Sequence, residues 1–186
     1  MNYLLTGIET ERLRFRPLAQ DDFNPWLPLF DGENVAKFLG MDDSWSSKEK
    51  CEFWFKKSLQ RYKDGTGGMN VLEDKITGEM IGQSGILIQD VEGEKRFEIG
   101  YSILPKFWNK GYASEASRKC LEEAFKMNVD HSIISVIHPE NIGSESVARK
   151  NGMTFEKSIA DYHGGPVNIF SITIDQWKKN NDIGSQ

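Results

Sequence analysis

Chemistry concentrates first in the stretch Glu98-Ile-Gly-Tyr-Ser-Ile-Leu-Pro-Lys-Phe-Trp-Asn-Lys-Gly-Tyr-Ala-Ser-Glu-Ala116, which reads as a strand, a proline stop, a basic loop and a helix start. The first N–H groups of a helix lack intrahelical partners, carry partial positive charge and point the same way, so a loop of this kind can chelate a diphosphate. Trp108, Asn109, Lys110, Gly111, Tyr112, Ala113 and Ser114 form that candidate cradle. Gly111 permits close backbone approach, Ala113 keeps the opening unobstructed, and Lys106 and Lys110 add positive charge. The alternative reading is that Gly111 only packs helix on strand. A P-loop is excluded by order, because Lys110 precedes Gly111 where a Lys-Ser or Lys-Thr pair should follow the second glycine. The glycine triplet of dinucleotide-binding folds is also missing.

A second constellation, His138-Pro-Glu-Asn141-Ile-Gly-Ser144-Glu-Ser-Val-Ala148, follows the next strand. Asn141 and Ser144 are residue types that cap helices, and the amide of Asn141 can both donate and accept toward a ligand. His131, His138 and His163 show no ligand spacing, so no metal site is expected. Cys51 and Cys120 form neither a clip nor a redox pair, and Cys120 falls on an apolar helical stripe as a small core residue. Trp26, Trp45, Trp54 and Phe53 read as core or as the lining of a substrate funnel.

The elements that must position these groups follow from periodicity. Residues 11–16 alternate into a first strand that stops at Pro17, and residues 20–39, broken by Pro25 and Pro28, make two short helices or turns. Ser46-Ser-Lys-Glu49 is a capping box, opening a helix with Cys51, Trp54, Phe55, Ser58, Leu59 and Tyr62 on one side and a stop at Gly65. Strands near residues 69–73, 80–89 and 96–104 form an antiparallel meander with turns at 75–78 and 92–94. A helix over 112–127 carries a stripe of Ala113, Ala116, Ser117, Cys120, Leu121 and Ala124, small enough to sit close to a sheet, and joins two strands that should be parallel neighbours. A strand over 132–138, a short helix over 144–150 ended by Gly152, a hairpin of 155–162 and 167–174, and a helical fragment around Trp177 complete an α+β order.

A chain of 186 residues with 38% hydrophobic content, no repeat and no linker is expected to form one domain spanning residues 1–186. Its 23 Lys and Arg against 28 Asp and Glu give a net charge of −5, which lacks the footprint of phosphate-backbone binding, so no nucleic-acid partner is expected. No basic leader and no apolar run of about 20 residues is present, so a cytoplasmic protein with no membrane partner is expected. A homodimer is the symmetric assembly to expect by default.

Trp108-Asn-Lys-Gly111-Tyr-Ala113 resembles the acetyl-coenzyme A loop of the GNAT N-acetyltransferase superfamily, and Trp108 in place of the usual Gln or Arg resembles the branch of ribosomal-protein alanine N-terminal acetyltransferases. Thr10-Glu-Arg-Leu-Arg-Phe-Arg-Pro-Leu18, Glu98-Ile-Gly-Tyr101, Asn141-x-x-Ser144 and Lys150-Asn-Gly152 extend the resemblance over most of the chain. It implies a mixed, mostly antiparallel sheet of about seven strands flanked by helices, with a splayed central strand pair. It further implies transfer of an acetyl group from acetyl-coenzyme A to a primary amine, on a protein N-terminus or a small molecule; a non-catalytic acyl-coenzyme A-binding module is the alternative. By the same resemblance, a bulge before the loop exposes the Ile103 N–H to the developing oxyanion, and Asn141 holds the pantetheine arm. Many relatives place a Tyr acid where this chain has Ala148, and the branch implies Ser144 at the leaving sulfur instead. Glu98 and Asp161 are the candidate bases for the amine, although the alternation around Glu98 equally suits a solvated carboxylate on an exposed face.

Overall fold

The computed structural model describes residues 3–182, with the side chain of residue 182 left aside. Among the described residues, seven strands form one sheet in the order β1-β2-β3-β4-β5-β7-β6. The first half is an antiparallel meander of β1 (Leu13–Arg16), β2 (Gly67–Asp74), β3 (Met80–Val91) and β4 (Glu94–Ile103). The second half consists of β5 (Ser132–Ile137), β7 (Val167–Thr173) and β6 (Thr154–Ile159), again antiparallel. A single parallel seam between β4 and β5 joins the halves, and the 15-residue helix α4 (Tyr112–Lys126) crosses between them.

Before α4 come two one-turn helices, Phe23–Trp26 and Val35–Phe38, and the long helix α3 (Ser47–Asp64). Prolines explain the short pieces: Pro25 and Pro28 each remove an N–H, and the segment breaks into single turns and 3-10 turns at Gln20–Asp22 and Leu27–Asp31. The capping box forms as the residues predict, with the Ser46 N–H donating to Glu49 Oε2 at 2.8 Å and the Glu49 N–H donating to Ser46 Oγ at 3.3 Å. Gly65 ends α3 in the left-handed region at φ 64°. After β5, a short helix (Ile142–Lys150) precedes the final hairpin, and the fragment expected around Trp177 is a helix of Ile174–Asp182.

The sheet is covered on both faces. Ser84, Ile86 and Ile99 point to α4, whose small stripe of Ala116, Ser117, Cys120 and Ala124 is almost fully buried; the Cys120 thiol lies 3.4 Å from the Ser84 hydroxyl. Gln83 and Gln89 alternate to the other face and meet α3 through Trp54 and Arg61. The main core gathers Phe15, Trp26, Leu72, Ile86, Ile99, Leu121 and Phe170, while Val91, Ile134, Ile159 and Ile169 form a satellite under the final hairpin. No helix among the described residues is long and apolar enough to cross a membrane.

Candidate active site

The site begins where β4 and β5 part. Their pairing is confined to Phe97↔Ile133 and Glu98↔Ile134, although β4 runs on to Ile103 and β5 to Ile137. Beyond that point side chains replace the backbone ladder: the Ser135 hydroxyl donates to the Ile99 oxygen at 2.9 Å, and the Val136 N–H turns to Glu98 Oε1 at 3.4 Å. The result is a V-shaped cleft opening toward the first turn of α4.

The expected bulge in β4 is absent. β3 and β4 stay in unbroken register from Gly82↔Ile103 to Val91↔Glu94. Antiparallel alternation does the same work, because Leu104 donates to Ile81 on the β3 side. Its odd-numbered neighbours Tyr101 and Ile103 must therefore turn their N–H groups to the β5 side, into the cleft. The Ile103 carbonyl accepts from the Trp108 indole N–H at 2.6 Å, which pins the strand end to the loop. A residue with a long donor at this position is useful, and the indole supplies one.

The loop itself is built on two left-handed residues, Asn109 at φ 60° and Gly111 at φ 82°. A Cβ on Gly111 would meet only an Arg12 guanidinium nitrogen, at 3.5 Å. Helix-on-strand packing is thus not why glycine stands there; the backbone conformation is. Arg12 braces the loop from beside β1. Its Nη1 donates to the Lys110 oxygen at 3.0 Å, its guanidinium pairs with Glu115 at 2.6 Å, and it lies 4.1 Å over the Tyr112 ring. Glu115, in the first turn of α4, also accepts from Thr10 Oγ1 at 2.5 Å and from the Arg12 N–H at 3.0 Å. Despite partial burial, these donors hold its carboxyl below the ordinary range, so it stays charged where the helix dipole favours an anion. Gly111 has no capping side chain, which leaves the α4 N–H groups facing outward as a cradle. Trp108, Asn109, Lys110 and Gly111 are exposed and Tyr112, Ala113 and Ser114 half-buried, as access requires.

Across the cleft, Asn141 caps the helix after β5, with Oδ1 accepting from the Ser144 N–H at 3.0 Å. The capping reading of Asn141 holds, while Ser144 sits inside the first turn rather than at the cap. Ala148 is buried in the core. Tyr101 reaches over from β4 and donates from Oη to the Ser144 backbone oxygen at 2.8 Å.

Glu98 is not the solvated carboxylate that alternation allowed. It is 8% exposed, because α3 and the final hairpin cover the face it points to. Gln89 Nε2 donates to its Oε2 at 2.6 Å, and Gln89 in turn accepts from Arg61 at 2.8 Å. Burial raises the Glu98 pKa, and the bonds from Gln89 and Val136 and the charges of Arg61 and Lys57 pull against it. Nearby, the Tyr162 hydroxyl is buried without a hydrogen-bond partner, and burial followed by the Glu98 charge pushes its pKa up to about 12. Asp161 is exposed, and its Oδ1 accepts from the Gly164 N–H at 3.0 Å. That bond gives it a turn-forming task in the hairpin loop.

The contacts join Ile103 to Trp108 of the loop and Asn141 to Ser144, tie Glu98 to β5 through Val136 where β4 and β5 part, and leave Asp161 apart in the hairpin loop. Sequence reasoning missed Arg12, Tyr101, Gln89 and Arg61, each of which matters through a partner distant in the chain, and the buried Tyr162 hydroxyl. It also missed a basic groove of about 320 Å³ lined by Arg118, Arg149, Lys150, Asn151, Trp177 and Asn180. This groove adjoins the loop, since Asn151 Nδ2 donates to the Ser117 hydroxyl at 2.5 Å and to the Ser114 oxygen at 3.4 Å. Cys51 and Cys120 are buried with pKa values pushed up to about 12, which removes them as nucleophiles. No cluster of metal-ligating side chains occurs among the described residues.

Residues 12–154 match the profile of the family described as acetyltransferase (GNAT) domain. The Bacillus subtilis N-acetyltransferase YnaD is 48% identical over 149 residues, covering 80% of this chain and 83% of YnaD. Mycobacterium smegmatis RimJ, solved with a coenzyme A disulfide, superimposes with a TM-score of 0.74 at 20% identity over 99% of this chain and 98% of its own. Vibrio cholerae spermidine N-acetyltransferase, solved with coenzyme A and spermine, gives 0.69 at 18% identity over 91% of this chain and 99% of its own. The open, mostly antiparallel seven-stranded sheet matches the fold of these structures. With its profile match and its near relative, this chain belongs to the GNAT family and is an acetyltransferase.

Proposed function

We propose that the protein transfers an acetyl group directly from acetyl-coenzyme A to a primary amine, on a peptide N-terminus or a small molecule, at the β4–β5 splay. One observation carries the reading: the outward-facing amides of α4 stand at the mouth of a cleft lined by strand N–H groups. The coenzyme, when bound, supplies the acetyl thioester. The Gly111–Ser114 amides, with Lys110 beside them, chelate its diphosphate, and Asn141 offers its Nδ2–H₂ group to the pantetheine arm while Oδ1 holds the helix. Arg118 and Lys150 in the adjoining groove meet the charged adenosine end.

The Ile103 N–H points where the thioester oxygen gains charge, a contact worth on the order of 3 kcal/mol when such a donor is preorganised. Glu98 receives the proton of the incoming amine, and its raised pKa makes it a stronger base than an exposed carboxylate. Ser144 contributes a hydroxyl that hydrogen-bonds the sulfur. Asp161, engaged in its turn, is the weaker candidate base. Both acceptor classes belong to the proposal, because the RimJ and spermidine acetyltransferase structures both share this fold, with TM-scores of 0.74 and 0.69.

The test is thiol release from acetyl-coenzyme A with a panel of N-terminal peptides, polyamines and amino acids. Turnover with one acceptor class identifies the substrate. Thermal stabilisation by the coenzyme without any turnover would favour the non-catalytic acyl-coenzyme A-binding alternative.

A further inference from the structure

The charges gathered around Glu98 are not matched within the protein. Trp54, Lys57 and Arg61 share one face of α3, spaced by three and then four residues. Trp54 donates to Gln83 at 3.2 Å and Arg61 to Gln89 at 2.8 Å, so Lys57 stands between them, at the exposed rim of the stretch of sheet that carries Glu98 opposite Leu87. Both cations lie within electrostatic range of the Glu98 carboxylate. Arg61 directs its guanidinium to the Thr66 and Ile88 oxygens and to Gln89, and pairs with no carboxylate among the described residues. Lys57 has neither an ion pair nor a hydrogen bond among them. The Tyr162 hydroxyl, from the hairpin loop, is buried without a partner and lies within range of Glu98 and Arg61. Asp90 also lies within range of Tyr162, but its carboxylate is engaged in a turn, accepting from the Gly93 N–H at 2.8 Å. Two cations and an orphan O–H donor therefore surround a single carboxylate.

An amine that arrives as a bare ammonium adds a third positive charge to this group. A polyamine does so more than once, and its ammonium groups offer only donors. An amine that carries its own carboxylate brings no net charge, and it supplies the acceptor that Lys57 and Tyr162 lack. Glu98 is 8% exposed under α3, β5 and the hairpin, which suits a small acceptor. We propose that the acceptor is a small amine bearing a carboxylate, an amino acid in the broad sense, and that Lys57, aided by the Tyr162 hydroxyl, is the specificity-determining residue that binds this carboxylate while Glu98 faces the amine. The assignment rests on reading Glu98 as the base of the acetyl-transfer cleft.

The experiment screens the twenty standard amino acids, spermidine and an N-terminal peptide with acetyl-coenzyme A, then compares the best amino acid with its carboxamide and its decarboxylated amine in the unaltered protein and in Lys57→Gln. The unaltered protein is expected to favour the carboxylate over the other two by about tenfold or more in kcat/KM. In Lys57→Gln, KM for the carboxylate is expected to rise about tenfold, with little change for the carboxamide and the amine. Any influence of Lys57 on Glu98 is common to all three acceptors and cancels in their ratio. Lys57→Arg is expected to recover the preference, and Tyr162→Phe to lose part of it. Lys57 is exposed and without a partner, so its variants are expected to fold. Turnover confined to acceptors without a carboxylate, or an unchanged ratio in Lys57→Gln, overturns the proposal. Should nothing turn over, the amino acids are titrated into the coenzyme A complex by calorimetry, and binding by none of them overturns it equally. Failure of coenzyme A to raise the Tm of the unaltered protein would instead sink the cleft assignment itself.

Discussion

Glu98 shows how a single residue changes meaning when a second layer covers it. On β4 it alternates away from Phe97 and Ile99, and both faces of the sheet turn out to be buried there. A carboxyl whose folded pKa is raised favours the protonated folded state. Its stabilising contribution is complete below the unfolded value and is lost as pH rises through the folded value. Glu98→Gln is therefore expected to raise Tm at neutral pH while lowering kcat by about 10²-fold or more. The acidic limb of the kcat/KM profile, set above the ordinary carboxylate range, should vanish in the same variant. Melting curves and a pH–rate series check both halves, and a lower Tm would show that the buried charge is net stabilising.

At the scale of elements, the loop and the first turn of α4 act as one unit held by Arg12 and Glu115. Gly111→Ala imposes a left-handed φ on a side chain at a cost of about 1 kcal/mol, with no clash. Gly111→Glu adds a negative charge at the cradle. The expected result is a coenzyme Kd raised at least about tenfold, or 1.4 kcal/mol, with the fold intact by circular dichroism. Arg12→Met removes charge-assisted bonds of about 1.5–3 kcal/mol and leaves Glu115 without its cation. It should weaken coenzyme binding by titration calorimetry without touching any atom of the acceptor side. Lys150→Glu should act differently, narrowing the preference for coenzyme A over its 3′-dephospho form, because the proposed binding mode places the adenosine end in the groove this residue lines.

The whole molecule is a sheet packed between two helical layers, with a deliberate gap at its parallel seam. The small stripe of α4 lets that helix lie close to β3 and β4. Ala116→Leu, at a fully buried position, is expected to cost about 1–3 kcal/mol by overpacking, lowering Tm by about 2–4 °C per kcal/mol. Differential scanning calorimetry measures it. The same packing sets the direction of the cleft: α4 and the Asn141-capped helix lie on one side, and α3 with its Trp54–Gln83 bond on the other.

Local chemistry in the chain determined a great deal. The capping box at Ser46, the proline breaks at Pro25 and Pro28, the Gly65 stop and the small-residue stripe of α4 all depend on neighbours within one or two turns, so their residues suffice to specify them. The exposed, uncapped helix start at Gly111, proposed above as the anion cradle, belongs to this class, since it needs only a helix start and a left-handed residue. What the tertiary structure decided depends on contacts across the sheet. The burial of Glu98 is set by α3 and the hairpin, the direction of the Ile103 N–H by its register with β3, and the Tyr101–Ser144 bridge by where the seam ends. Pairing register and splay are set by long-range packing, and a pattern of period two records which way a side chain points but not what will stand opposite it.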